Sequence, residues 1–103
     1  MSQPKTKEEL VRLAWVAALR REGDRQCDGQ LFQGNKVCAL GLLAVVSGLG
    51  RRANAVVARW GDFDSIGRRA GLAPFQTTDI YSLNDSGSTF AEIADVVEGW
   101  FKN

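Results

Sequence analysis

A chain of 103 residues, 45% hydrophobic and 24% charged, predicts one globular domain over 1–103 and excludes intrinsic disorder. The formal net charge is only +1, but residues 1–70 carry twelve Lys and Arg against seven Asp and Glu, whereas residues 71–103 carry one against five. The chain has no histidine, which removes the commonest general base and the commonest zinc ligand, so we predict no catalytic residue, no metal site and no cofactor.

The first predicted element is a helix from about Lys7 to Glu22, with Thr6 and Glu9 as a capping box and Gly23 as the C-terminal glycine. Helical spacing predicts one apolar face, made of Leu10, Leu13, Ala14, Ala17 and Ala18 and widened by Val11, Trp15 and Leu19. The polar residues 1–9 carry no secretory signal, and we therefore expect a cytoplasmic protein.

A short β-hairpin follows, because Gly34-Asn35 is a typical two-residue turn between short apolar runs. This register predicts three pairs of facing residues: Phe32–Val37, Leu31–Cys38 and, beyond the hairpin, Cys27–Leu42. A Cys27–Cys38 disulfide is not expected from that geometry. Reduced thiols fit the cytoplasmic expectation.

Residues 38–47 are almost wholly apolar, which predicts a buried central helix. The apolar run 37–49 is too short to cross a bilayer, and we expect no membrane contact. Cys38 stands at the N-terminus of the helix, a position that lowers a thiol pKa and activates some nucleophiles. Its apolar neighbours and the missing histidine favour a core thiol over a reactive one.

The second half of the chain predicts three weaker helices, at 51–60, 63–70 and 77–84, although the composition of 77–84 also suits a strand. The third would be capped by Thr77 or Thr78 and ended by Gly87, with inward-facing residues Ile80, Tyr81 and Leu83. The last helix is the clearest, because Thr89 and Glu92 form a capping box before an apolar series that reaches Trp100. We expect the three tryptophans, Trp15, Trp60 and Trp100, to pack in the core. The fold class is therefore mainly α with one short β-hairpin (α+β), a helical domain around a buried central helix.

Three arginine pairs stand out: Arg20-Arg21, Arg51-Arg52 and Arg68-Arg69. Cations are favoured near helix C-termini, so each pair can be interpreted as two solvent-exposed arginines at the end of a helix. The alternative is a basic face for a phosphate-bearing or acidic partner, with Arg51, Arg52, Arg68 and Arg69 as its binding residues.

The Asn84-Asp85-Ser86-Gly87 segment gathers acceptors, a hydroxyl and a glycine at one turn. Such residues hydrogen-bond their own backbone, which favours a connector between helices. A ligand contact through Asn84 and Asp85 is the alternative, although a single Asp lacks the second acidic cluster of a calcium loop. Residues 88–96 are similar to the first helix of a DNA-binding helix-turn-helix, but too few residues follow for a recognition helix and the surroundings are acidic.

Three segments match motifs of one family: Trp15 to Arg20 with Trp-x-x-Ala-Leu-Arg, 38–43 with Cys-x-Leu-Gly-x-Leu, and 83–95 with Leu-Asn-Asp-x-Gly-x-Ser/Thr-Phe-x-x-Ile-Ala. On these residues the chain resembles small proteins of phages, prophages and other mobile elements. Ala39 and Ala44 stand where relatives often carry cysteines, which weakens any metal-site interpretation. The family has no assigned activity, so the resemblance implies an origin rather than a mechanism.

These observations predict a non-enzymatic accessory protein of a phage or other mobile element that binds a host or phage macromolecule. One alternative is a binder of small molecules or nucleotides through the 84–88 turn and nearby arginines. The other is a nucleic-acid-binding protein with a basic arginine face. Of the macromolecular partners, nucleic acid is the less favoured.

Overall fold

A computed structural model describes residues 5–53 and 63–101, which contain five α-helices and one two-stranded antiparallel sheet. The helices are α1 (Lys7–Arg21), α2 (Ala39–Val46), α3 (Asp64–Arg68), α4 (Pro74–Asp85) and α5 (Phe90–Trp100). A 3₁₀ turn (Gly23–Arg25) and the strands β1 (Phe32–Gln33) and β2 (Lys36–Val37) lie between α1 and α2. The predicted mainly α fold with one hairpin is confirmed.

Helix α1 begins as its cap predicts, because the Thr6 hydroxyl accepts the Glu9 backbone N–H at 3.1 Å. Its buried face is narrower than predicted and consists of Trp15, Ala18 and Leu19, flanked by the partly buried Val11 and Val16. The prediction was wrong for Leu10, Leu13, Ala14 and Ala17, which are exposed. Two apolar stripes run along α1, and the one that carries Trp15 packs against α2 and α5.

The hairpin has the predicted register, with Phe32 facing Val37 and Gln33 facing Lys36. The segment before it runs differently from the prediction. Gln26 pairs with Val37 in a parallel bridge, and the Cys27 N–H donates to the Val37 carbonyl at 2.9 Å. Cys27 therefore lies beside β2 and not opposite Leu42, because the chain after α1 folds back along the hairpin. Both cysteines are free and buried.

Helix α2 lies at the centre of the described core, and all its residues from Ala39 to Ala44 are buried. The Cys38 sulfur caps it by accepting the Gly41 N–H at 3.4 Å. Helices α1, α3 and α4 and strand β2 pack around α2. Gly41 allows the closest approach, since a Cβ there would overlap the Leu31 carbonyl oxygen and come within 3.0 Å of the Leu31 carbonyl carbon.

Helix α4 begins at Pro74, three residues before the predicted start, so the expected cap at Thr77 or Thr78 was wrong. Proline is favourable at a first helical position, and the Gln76 side chain accepts the Ala73 N–H at 2.9 Å. Ile80 is buried as predicted, whereas Tyr81 is 42% exposed and lies 5.0 Å from the Phe63 ring. Gly87 follows the helix with a φ of 102°.

Helix α5 has the predicted capping box between Thr89 and Glu92, and buries Phe90, Ile93, Ala94 and Val97. Of the tryptophans, Trp15 is fully buried, Trp100 is partly buried, and Trp60 lies outside the described residues. Most of the predicted helix at 51–60 also lies outside them, although Arg52 and Ala53 are helical. Within 5–53 and 63–101, no helix is long and apolar enough to span a membrane.

Candidate functional site

Two arginines from separate segments meet at the C-terminus of α2. Arg52 donates to the carbonyls of Leu49 at 3.1 Å and Gly48 at 2.8 Å, and Arg69 donates to the Ser47 carbonyl at 3.1 Å. Ser47 is the C-cap residue of α2, so its carbonyl lies at the negative end of the helix dipole, whereas Gly48 and Leu49 lie in the turn that follows. The end of α2 thus holds Arg69, and the turn after it holds Arg52.

Arg68 and Lys7 complete this basic surface. With Arg69 and Ser47 they line a depression of about 290 Å³, whose remaining wall is formed by Glu8 and Val11. Arg68 is exposed, and its side chain makes no hydrogen bond or ion pair with the described part of the chain. We call Lys7, Arg52, Arg68 and Arg69 the basic cluster. Lys7 was not among the predicted binding residues, because nothing local relates it to a segment 60 residues away.

Arg51 and Arg20, from two of the predicted pairs, are placed elsewhere. Arg51 donates to the Gly34 carbonyl, and its guanidinium lies 5.0 Å from the centre of the Phe32 ring, so it covers the hairpin. The Arg20 guanidinium donates to Glu98 and, at 2.9 Å, to Asp95. These two bonds join α1 to α5 and raise the pKa of the guanidinium. Of the four predicted binding arginines, the structure therefore brings three together and leaves Arg51 apart.

Asn84 is buried and holds three segments together. Its Oδ1 accepts the Ala39 N–H at 2.9 Å and the Gln26 Nε2 at 3.3 Å, and its Nδ2 donates to the Cys27 carbonyl at 2.8 Å. Buried backbone groups of α2 and of the loop at 26–31 are satisfied in this way. These three hydrogen bonds engage both polar atoms of the Asn84 side chain. Asn84 therefore has a structural role.

Gln26 extends this arrangement to α5. Its Nε2 also donates to the Ser88 carbonyl at 2.7 Å, and its Oε1 accepts the Phe90 N–H at 3.0 Å. We call Gln26 and Asn84 the amide clamp. The sequence gives no sign of Gln26, since one glutamine in a polar loop has no distinguishing spacing.

Asp85, the other predicted turn residue, is exposed and accepts the Gly29 N–H at 3.1 Å. A cavity of about 50 Å³ lies beside it, with Tyr81, Phe63 and Cys38 in its wall. Ligand pockets usually enclose 300–1,000 Å³, so the cavity is too small for a nucleotide. An open polar depression of about 360 Å³ lies on the other side of Asn84, between Asp28 and Lys36.

The Cys38 thiol is a core group rather than a nucleophile. It is 7% exposed, and burial raises its pKa to about 11, more than offsetting the two backbone N–H groups that favour the thiolate. Both observations favour the core thiol over the reactive alternative. Burial likewise raises the pKa of the Cys27 thiol.

The raised pKa of Cys38 predicts a pH dependence of stability. The folded chain keeps the proton to about pH 11, whereas the ordinary thiol pKa is 9.0. The contribution of the neutral thiol is therefore complete below pH 9 and is lost as the pH rises through 11. We expect the wild type to lose about 2 kcal/mol more stability than Cys38→Ser between about pH 8 and pH 11, measured by urea unfolding. Parallel curves would contradict a buried, protonated Cys38.

No group of three metal-ligating side chains is found among the residues that the structure describes. Comparison with models of protein families, with characterised proteins and with solved structures gives no match to this chain.

Proposed function

We propose that the protein is a non-enzymatic accessory protein of a phage or other mobile element, cytoplasmic, which binds a macromolecular partner through the basic cluster. The observation that carries this proposal is the depression that Lys7, Arg68 and Arg69 line beside Ser47, with Arg52 held on the next turn at Gly48 and Leu49. The sequence resemblance supports the mobile-element origin. The absence of histidine and the protonated Cys38 support binding rather than catalysis.

The way the arginines are held leaves their charge available. Arg52 and Arg69 donate to backbone carbonyls, which orient the guanidinium groups without neutralising them. Arg20, in contrast, is paired with two carboxylates. Pre-positioned cations lose little conformational entropy when a partner binds, so the basic cluster suits a partner with carboxylates or phosphates on its surface.

A protein with an acidic surface fits this cluster better than a nucleic acid does. Nucleic-acid binding of useful strength generally neutralises several phosphates, about six to ten for many DNA-binding proteins. The cluster supplies four cations, which is fewer than that number.

Binding of a small molecule or nucleotide at the 84–88 turn has less support. Asn84 is fully engaged with the protein itself, and the cavity beside Asp85 is a fraction of the size such a ligand requires. The open depression of about 360 Å³ on the other side of Asn84 is large enough, but its described wall sets Asp28 against Lys36 and contains no arginine. Thermal-shift screening with nucleotides is therefore expected to give no stabilisation.

The proposal is tested with a charge reversal at Arg68, whose side chain makes no hydrogen bond or ion pair with the described part of the chain. The partner is first isolated by affinity purification from the native host and identified by mass spectrometry, and its affinity is then measured by calorimetry. We expect Arg68→Glu to weaken binding at least about tenfold and to reduce the salt dependence of the affinity.

Lys36→Glu is the matched control, because it makes the same charge change at an exposed position on β2. It should leave the affinity within about twofold of wild type. Equal losses in the two variants would show that net charge alone matters, and unchanged binding in Arg68→Glu would refute the proposed face. Binding of DNA or RNA alone with a steep salt dependence would show that the partner is a nucleic acid.

A further inference from the structure

Helix α1 leaves an apolar stripe in solvent. Leu10 is 56% exposed and Leu13 is 51% exposed, and Ala14 and Ala17 are exposed beside them. The four residues follow the spacing i, i+3, i+4, i+7, so they share one face of the helix. The core contains the other stripe of α1, around Trp15. The four residues therefore remain outside the core of the described chain. We call them the α1 stripe.

The α1 stripe adjoins a groove between α1 and α5. Leu13, Val16 and Ala17 form one wall of this groove, Val97 and Phe101 line the other, and its volume is about 770 Å³. Arg20, Asp95 and Glu98 form a polar rim. An apolar floor with a charged rim is the usual composition of a protein interface, and such a groove has room for side chains of a second helix.

We propose that the α1 stripe is an interface between two copies of this chain, in which α1 of one protomer packs antiparallel against α1 of the other. The spacing of large and small residues in the stripe supports this occupant. An antiparallel pair centred between Leu13 and Ala14 places Leu10 against Ala17 of the partner subunit. In the same register, Leu13 faces Ala14 of the partner subunit.

Each leucine thus meets an alanine, and large and small side chains alternate across the contact, which allows close packing. A parallel pair in register would place leucine against leucine and alanine against alanine. The antiparallel contact is also closed, because the same surface serves both protomers.

The dipole of α1 supports the same arrangement. Antiparallel packing places the positive N-terminal end of one helix dipole beside the negative C-terminal end of the other, whereas parallel packing brings like ends together. The charged side chains add nothing to this preference, because Lys5 and Lys7 offset Glu8 and Glu9 at one end and Arg20 is paired with Asp95 and Glu98 at the other. The helix therefore complements itself in shape and in its dipole.

The test is the molar mass of the full chain, measured by sedimentation equilibrium from low micromolar to about 0.5 mM protein. We expect a reversible increase towards twice the chain mass of 11.2 kDa. Ala14→Glu places a carboxylate at the centre of the pair but at an exposed site of the single chain, so it should raise the dissociation constant at least about tenfold while the fold remains intact. Circular dichroism of the dilute variant checks the fold.

Phe75→Glu is the matched control, because Phe75 is 65% exposed on α4 and the substitution also replaces an exposed apolar residue by a carboxylate. It should self-associate like the wild type. A single-chain mass at the highest concentration overturns the proposal, and so does a dimer that persists in Ala14→Glu, since the contact would then lie elsewhere.

Disulfide cross-linking tests the antiparallel register of the two α1 helices separately. Residue 14 lies next to the two-fold axis of the proposed pair, so Ala14→Cys should form a disulfide-linked dimer when oxidised with diamide. Phe75→Cys should not, and the buried Cys27 and Cys38 of the wild type should give little background. Cross-linking of both variants to the same extent would mean random collision and would contradict the antiparallel register.

Discussion

Replacement of Asn84 by alanine is expected to destabilise the protein by about 3 kcal/mol, a large fraction of the stability of a domain of this size. The variant loses the acceptor of the buried Ala39 N–H and the donor to the Cys27 carbonyl. Each buried backbone group left without a partner costs about 1–3 kcal/mol. Urea unfolding followed by circular dichroism measures the loss.

Asp85→Ala is the neighbouring control. It removes a single hydrogen bond, to the N–H of the exposed Gly29, and should cost about 0.5–1 kcal/mol. Equal destabilisation of the two variants would mean that the 84–88 turn stabilises the protein as a unit. The special contribution of the amide clamp would then be refuted.

Gly41→Ala is expected to cost about 3 kcal/mol or more, even though alanine is the better helix former by about 1 kcal/mol. The added methyl group overlaps the Leu31 carbonyl oxygen, which is backbone and cannot rotate away as a side chain would. The strand entry and α2 would have to separate, and the contacts of the surrounding core would loosen. The same unfolding measurement gives the size of the effect.

Gly99→Ala makes the identical substitution in α5, where a Cβ meets no atom within 4 Å. It should stabilise the protein by about 0.5–1 kcal/mol, because it only gains helix propensity. Opposite signs for the two glycines would confirm that close approach, and not backbone freedom, requires Gly41. Destabilisation by both would contradict this explanation.

The sequence predicts the elements whose signals are local. The caps at Thr6 and Thr89, the Gly34-Asn35 turn and the largely apolar run at 38–47 each specify a structure within a few residues, and the structure has all four. At Thr89 both bonds of the predicted capping box are present, whereas at Thr6 only the threonine hydroxyl makes its bond. The start of α4 is missed because Pro74 and Gln76 provide a start that competes with the threonines further on.

What the sequence leaves open depends on distant contacts. Helix α1 has two apolar stripes of similar quality, and only the positions of α2 and α5 decide that Trp15 is buried and Leu13 is exposed. Cys27 is misplaced because the loop before the hairpin has no pairing signal of its own and is held by Asn84 from far along the chain. The basic cluster likewise combines Lys7 with Arg52, Arg68 and Arg69, which share no local pattern.

The amide clamp has a consequence for the order of folding. Its bonds join residues that are 45 to 64 positions apart, so they close large loops and cannot form until α4 and the start of α5 are in place. We therefore expect the Ala39 and Phe90 amides to exchange with solvent deuterium only when the whole domain opens. The turn at 84–88 would then report on global unfolding, although it lies at the surface between two helices.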